Sequence, residues 1–268
     1  MHLQSWFFIL ILIQFQSCAL LNKKGTWGKN ALYPLRAGKF LEAVQVNASS
    51  PHVWGPLVGA GVIFASNTDA RISNWVHHEG SVYKNVQAAD NWSDNFNNIQ
   101  KYEMYAMILF TPSYDEDKSF SGYLKNKLKG GFAVNIASSS SRFSVDQVRK
   151  VVHRKRPNNM DYKSLPSGHA AEAGSRRAII GKGVEAIDMA PAQLKVGINV
   201  LNTAMSMGTV WARVEGKRHY PTDVLAGYAF GSFVSGVVYD TLMNLDSSQS
   251  FVFLPLGNRY AFQYTYLY

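Results

Sequence analysis

The segment from Pro221 to about Asn244 constrains this chain most. Its length and apolar content approach those of a membrane span, yet Asp223, Ser232, Ser235 and Asp240 interrupt it. Pro221 suits the first position of a helix, where the missing N–H has no partner to lose. Gly227 and Gly231 lie one turn apart and let a neighbouring helix pack closely. The segment therefore reads as the central helix of a soluble bundle. From about Pro51 onward the apolar spacing is mostly helical as well: Val53 to Ala65, the stretch around Ile99 to Leu109, and Leu194 to Arg213. The fold expected is mostly α, a helical bundle, with residues 20–50 as an irregular lead-in.

The period changes at the C-terminus. Aromatic residues occupy every second position in Phe262-Gln263-Tyr264-Thr265-Tyr266-Leu267-Tyr268, the alternation of a strand. With Phe251-Val252-Phe253-Leu254 and a turn at Pro255 to Asn258, this predicts a small C-terminal β-hairpin that covers the bundle or meets a membrane or partner. No repeat and no Pro- or Gly-rich linker divides the chain, so residues 20–268 are expected to form one domain. At the other end, an apolar run from Trp6 to Ile13 is too short to span a bilayer and fits the core of an export signal. Ser17-Cys18-Ala19 supplies the small residues of a cleavage site, giving a signal peptide over residues 1–19. Lipidation of Cys18 and an uncleaved anchor are the competing readings. Cys18 is the single cysteine, so after cleavage no thiol chemistry is left.

Composition narrows the partners. An aromatic content of 13% and long apolar runs exclude a disordered chain, and a mean hydropathy of −0.12 argues against a polytopic membrane protein. The net charge of +9 favours anions: phosphorylated substrates, anionic headgroups or nucleic acid. Export argues against nucleic acid.

Three basic segments carry the chemistry. In the first, six of the eight residues from Arg149 to Arg156 are basic. Ser144 and Gln147 read as a capping box and Pro157 as the end of that helix, so Arg149 and Arg156, two turns apart, share a face. By itself this run is equally a solvated basic helix or a nucleic-acid patch. In the second, Pro166-Ser167-Gly168-His169 enters a helix beginning Ala170-Ala171-Glu172-Ala173. Free backbone N–H groups there favour a phosphate, Ser167 adds a donor, and Gly168 lets an anion approach. In the third, Arg213-x5-His219-x3-Asp223, Asp223 lies in the first turn of the long helix. There its carboxylate can accept from one imidazole nitrogen of His219 and leave the other free to attack. A lone His near an Asp is more often structural, and a lone Pro-Ser-Gly more often a plain helix cap. Taken together, the three segments offer three arginines, two histidines and a carboxylate around an anion-shaped helix end.

This constellation resembles the type 2 phosphatidic acid phosphatase superfamily, which includes bacterial acid phosphatases and vanadate-dependent haloperoxidases. The family pattern K-x6-R-P, P-S-G-H and S-R-x5-H-x3-D is matched by Arg149-x6-Arg156-Pro157, by Pro166 to His169, and by Ala212-Arg213-x5-His219-x3-Asp223. The motifs fall within residues 145–240, and the Asn91-Trp92-Ser93-Asp94 neighbourhood is similar to exported members. Arg149 replaces the family's lysine with a planar fork, and Ala212 replaces its serine. Lys150, an alternative counterpart, would face roughly 120° away on an ideal helix.

The resemblance implies the fold of that family and a phosphohistidine mechanism in an exported bacterial phosphatase. His219 is the nucleophile, supported by Asp223. Arg149, Arg156, Arg213, Ser167 and the Gly168 amide hold the phosphate oxygens. His169 is the acid and then the base. No metal or other cofactor is implied, and vanadate is expected to inhibit. The substrate is a phosphorylated lipid or a small phosphomonoester, and the site of action is the periplasm, at or near a membrane surface. Lys163-Ser164-Leu165 lacks the Gly-Ser-Tyr of secreted non-specific acid phosphatases. A vanadate haloperoxidase using the same cradle, and a non-catalytic basic module that binds anions or membranes, are the alternatives.

Overall fold

The computed structural model describes residues 26–34, 37–114, 119–187 and 190–244, together with the backbone of 249–256 and 259–266. The expected signal peptide and Cys18 lie outside the described residues. Eight helices are present among those described: α1 (Ala37–Ala48), α2 (Pro51–Ala65), α3 (Asp69–His78), α4 (Val86–Phe110), α5 (Phe120–Val152), α6 (Gly168–Glu185), α7 (Ala192–Glu215) and α8 (Pro221–Met243). None is long and apolar enough to cross a membrane. The chain is thus mostly helical, as its spacing predicts.

The innermost pair is α6 and α8, with α5, α2 and α1 against α8, and α7 and α4 against α6. Small residues make the central contact possible. A Cβ on Gly231 would lie 2.0 Å from the Ala171 carbonyl oxygen, and one on Gly227 would lie 2.5 Å from that of Ser167. Either would force the helices apart, because an interior at crystal-like density has no slack to absorb a methyl group. Below this contact, Met107, Val134, Ile179, Ile180, Tyr239 and Met243 close the main core. Trp27, ahead of the first helix, joins it and donates from Nε1 to the Tyr239 hydroxyl at 3.1 Å.

Two expected boundaries shift. Residues 37–48 are helical rather than irregular, because tertiary contact overrides a weak local pattern. Ala43 and Asn47 are buried, and Asn47 donates to Asp240 of α8 at 2.7 Å. Ser144 does not start a helix. It sits inside α5, whose small buried positions at Gly130, Ala133, Ala137 and Ser141 carry 33 residues without a break. That helix also stops before Pro157. His153 takes the left-handed conformation (φ 47°) as its C-cap and turns the chain.

At the C-terminus, β1 (Gln249–Leu256) and β2 (Arg259–Tyr266) pair antiparallel, Gln249 opposite Tyr266 and Leu256 opposite Arg259. Their side chains, and with them the expected aromatic strip, lie outside the described residues. The C-terminal end of α5, the N-termini of α6 and α8 and the C-terminal end of α7 meet at one end of the bundle, where Asp223 of α8 binds Arg154, Ser164 and, through its own carbonyl oxygen, the Ser167 amide.

Candidate active site

The reversal at His153 sends Arg154 back toward α8. Its Nη1 donates to Asp223 Oδ1 and to Thr222 Oγ1, each at 2.7 Å, and its Nη2 to Asp69 Oδ2 at 2.5 Å. The guanidinium also stacks over the Tyr220 ring, 4.4 Å from its centroid. Asp69 in turn accepts from the Thr222 amide at 3.0 Å. Burial pushes the Asp223 carboxyl up, while the Ser164 hydroxyl, Arg154 and the Tyr220 amide pull it down. Two carboxylates and one guanidinium thus lock the entry to α8, and each is saturated with partners.

His219 is held on that platform. Its Nδ1 lies 2.7 Å from the backbone carbonyl oxygen of Ser164. A carbonyl can only accept, so Nδ1 carries the proton and the Nε2 lone pair is free. Burial, then Arg156 and Arg213, push the imidazole well below its ordinary value, and Arg149 adds to the same effect. The ring is therefore neutral, as a nitrogen nucleophile must be. The expected His219–Asp223 hydrogen bond is absent among these contacts. Asp223 Oδ2 accepts instead from Ser164 Oγ at 2.5 Å and from the Tyr220 amide at 2.9 Å, closing the first turn of α8. Its third-residue position in the helix dictates this, since there the nearest donor is the N-cap amide. Asp223 reaches His219 only through Ser164.

Three guanidinium groups gather around the imidazole. Arg149, on the last turn of α5, donates from Nε to the Pro166 carbonyl at 2.9 Å. It passes over the start of α6 so closely that a Cβ on Gly168 would lie 3.1 Å from its Nη2. Arg156 comes from the loop beyond the helix, not from a shared helical face, and is fixed by Asp161 at 2.8 Å. Arg213, buried near the end of α7, donates to Asp90 at 3.0 Å. Burial and the neighbouring Arg156 and Arg218 push it down to about 10, against the pull of Asp90. Lys150 points elsewhere and donates to Gln147 at 3.3 Å. Arg149, not Lys150, lies beside Gly168.

Two buried donors face this cluster without a partner among the described residues, Ser167 Oγ and Arg213 Nε. Ser167 is the N-cap of α6, yet its hydroxyl makes no cap bond. Orphaned buried polar groups are rare and costly, and the free N–H groups at the start of α6 add to the positive field. The set suits a tetrahedral or trigonal oxyanion. Among the described residues no cluster of three or more His, Cys, Asp or Glu side chains has metal-binding spacing.

His169 stands at the rim. Its Nε2 lies 2.9 Å from Asp94 Oδ1. Burial and Arg213 push its pKa down, and the Asp94 hydrogen bond and the charge of Glu172 pull it up. Asp90 and Asp94, one turn apart on α4, thus hold Arg213 and His169 respectively. Asp90 also takes Arg218 in a bidentate pair. Every site residue expected from the sequence lies at this end of the bundle. Sequence reasoning missed Asp69, Asp90 and the role of Arg154. Arg154 lies inside the basic run that was read, but only the turn at His153 distinguishes it from its neighbours.

Comparisons with known proteins agree with this fold. A family model of the PAP2 superfamily matches residues 110–246. The fold is similar to the crystal structure of a transmembrane PAP2-type phosphatidylglycerolphosphate phosphatase from Bacillus subtilis, with a TM-score of 0.50, 16% identity, and coverage of 69% of this chain and 90% of that one. No curated protein matches.

Proposed function

The chain belongs to the PAP2 superfamily, and from that premise we propose that it is a phosphatase of a lipid phosphate or pyrophosphate, acting through a phosphohistidine on His219. The observation that carries this reading is the His219 ring, neutral, with its proton fixed on Nδ1 by Ser164 and Nε2 free amid three guanidinium groups. The Bacillus subtilis neighbour is a phosphatidylglycerolphosphate phosphatase, which supports a lipid as the phosphate's carrier.

In the first step Nε2 attacks phosphorus, the P–N bond forms, and the P–O bond to the alcohol breaks. The leaving oxygen takes a proton from His169. Charge spreads over three equatorial oxygens, which Arg149, Arg156, Arg213, the Ser167 hydroxyl and the Gly168 amide are placed to bind. Each such donor is worth roughly 3 kcal/mol of barrier. In the second step His169 takes a proton from water, the water oxygen attacks phosphorus, and the P–N bond breaks to release phosphate and the imidazole. Proton transfer of this kind contributes about 10²–10⁴ in rate. Asp223 acts one residue removed, as a positioning residue that fixes Ser164. No metal enters these steps, and vanadate, a mimic of the trigonal-bipyramidal phosphoryl, competes with substrate. Export through residues 1–19, a single domain over 20–268 and an aromatic C-terminal hairpin belong to the same proposal.

Phosphate release from phosphatidate, phosphatidylglycerophosphate, an isoprenyl pyrophosphate, lipid A and p-nitrophenyl phosphate tests the reading. His219→Ala is expected to abolish release from every substrate that the wild-type chain hydrolyses. Unchanged turnover in that variant refutes the assignment. Halide oxidation with added vanadate and no phosphate release would favour the haloperoxidase chemistry.

A further inference from the structure

The end of the bundle that carries the site also carries large apolar side chains that stand exposed among the described residues. Val151 is 82% exposed, Phe64 77%, Met160 70% and Tyr162 58%. Scattered singly, exposed apolar residues need no explanation. These four come from separate segments that site residues tie together. Phe64 lies five residues before Asp69, which binds Arg154. Val151 lies three residues before Arg154 in the chain. The Met160 sulfur is 3.1 Å from Arg218 Nη1, and Tyr162 follows Asp161, the partner of Arg156.

Cations are interleaved with them. Residues 150–163 hold five Lys and Arg against one acid, Asp161. Asp161 is bound to Arg156, while Arg154 is bound to Asp69 and Asp223. Among the described residues no carboxylate pairs with Lys150, Lys155 or Lys163, all exposed, and theirs is the positive charge left over there. Apolar tips among unneutralised ammonium groups match the boundary of a bilayer, where tails begin beneath anionic headgroups. Single-stranded nucleic acid is gripped differently, by aromatic rings stacked on bases along a basic groove, and two of these four tips, Val151 and Met160, carry no ring to stack.

We propose that this rim is a docking surface for an anionic lipid bilayer, with Phe64, Val151, Met160 and Tyr162 entering the interface and Lys150, Lys155 and Lys163 meeting the headgroup phosphates. Docked this way, the cradle opens at headgroup depth, where a lipid phosphate sits. The surface extends the phosphatase reading by naming how a lipid substrate is met, and binding is measurable without any turnover.

Co-sedimentation of the full chain with vesicles tests it, using phosphatidylglycerol mixed with phosphatidylcholine against phosphatidylcholine alone, at low and high salt. Hydrolysis of p-nitrophenyl phosphate without vesicles is followed in parallel. The wild-type chain is expected to bind the anionic vesicles at least about tenfold more tightly, an advantage that salt removes. Phe64→Asp with Val151→Asp should weaken that binding about tenfold and leave p-nitrophenyl phosphate turnover unchanged. Lys155→Gln should weaken it about fivefold, the effect of one cation near such a surface. The apolar run Trp6 to Ile13 is common to all variants and cancels. Equal binding to both vesicles, unchanged binding of the Phe64/Val151 variant, or displacement of vesicles by duplex DNA would overturn the proposal. Vesicle binding without hydrolysis of any phosphate ester would remove the phosphatase reading and leave the docking surface standing.

Discussion

Arg149 and Arg154 stand five residues apart in one basic run and have opposite surroundings. Arg154 is clasped by Asp69, Asp223 and Thr222, so its charge is spent inside the protein. Arg149 meets a backbone carbonyl and, at 3.5 Å, the outer edge of the exposed Asp146. The same contrast divides the whole end of the bundle. One layer, of Asp69, Arg154, Ser164, Thr222 and Asp223, is closed upon itself. The layer above it, of Arg149, Arg156, Arg213, Ser167 and His219, keeps free donors and a free lone pair. A cation clasped by two carboxylates, as Arg154 is, acts as a buttress, whereas one that keeps an unmatched donor, as Arg213 keeps Nε beside its pair with Asp90, is available to an anion.

Substitutions that cross this division should separate activity from stability. Arg149→Ala is expected to lower kcat/KM by about 10²–10³-fold, the loss of one preorganised donor, with the unfolding midpoint in urea unchanged. Lys150→Ala beside it should change turnover by less than about twofold. Arg154→Ala should do the reverse and cost roughly 3 kcal/mol of stability in urea titration, because it strands two carboxylates in a buried network. An Arg154→Ala protein as stable as wild type would erase the distinction between the layers. Ser167→Ala should lower kcat/KM about tenfold, the scale of a hydrogen bond to a charged group, without loss of stability, since that hydroxyl has no partner among the described residues.

The smallest effect is a shift in pH dependence. His219 must be neutral to attack, and burial with the surrounding arginines holds it so into the acid range. His169 must be protonated to act as the acid, and burial with Arg213 puts its pKa below the ordinary 6.5. The alkaline limb of kcat/KM should therefore fall on the acid side of 6.5, because that limb reports the free enzyme. Asp94 stabilises the imidazolium by hydrogen bond and charge. Removing that charge in Asp94→Asn should move the limb further toward acid. A limb that stays in place or moves toward alkali would deny Asp94 its hold on His169.

Much of this end of the molecule was legible in the residues themselves. Pro221 begins α8 as expected, and the glycine pair at Gly227 and Gly231 marks the contact with α6, because only backbone can approach that closely. The convergence of Arg149, Arg156, Arg213 and His219 was implied by the resemblance to the family's motif pattern, although the shared helical face expected for Arg149 and Arg156 was wrong. A periodicity argument continues a helix until a proline stops it, whereas α5 ends at a left-handed His153 that no local pattern announces. The His219–Asp223 pair was misjudged for a related reason. Spacing places the carboxylate near the ring, but competition from Ser164 and the Tyr220 amide is decided in three dimensions. Asp69 and Asp90 were invisible, since isolated acids on distant helices carry no signal of the arginines they will meet.

The measurement that bears most directly on the upper layer is a rapid acid- or base-quenched single turnover with radiolabelled substrate, followed by mapping of the labelled peptide. The arrangement of His219 predicts a base-stable, acid-labile phosphate bound to that residue and absent from His219→Ala. Label on another residue, such as Ser167, or hydrolysis with no protein-bound phosphate at any time, would contradict it.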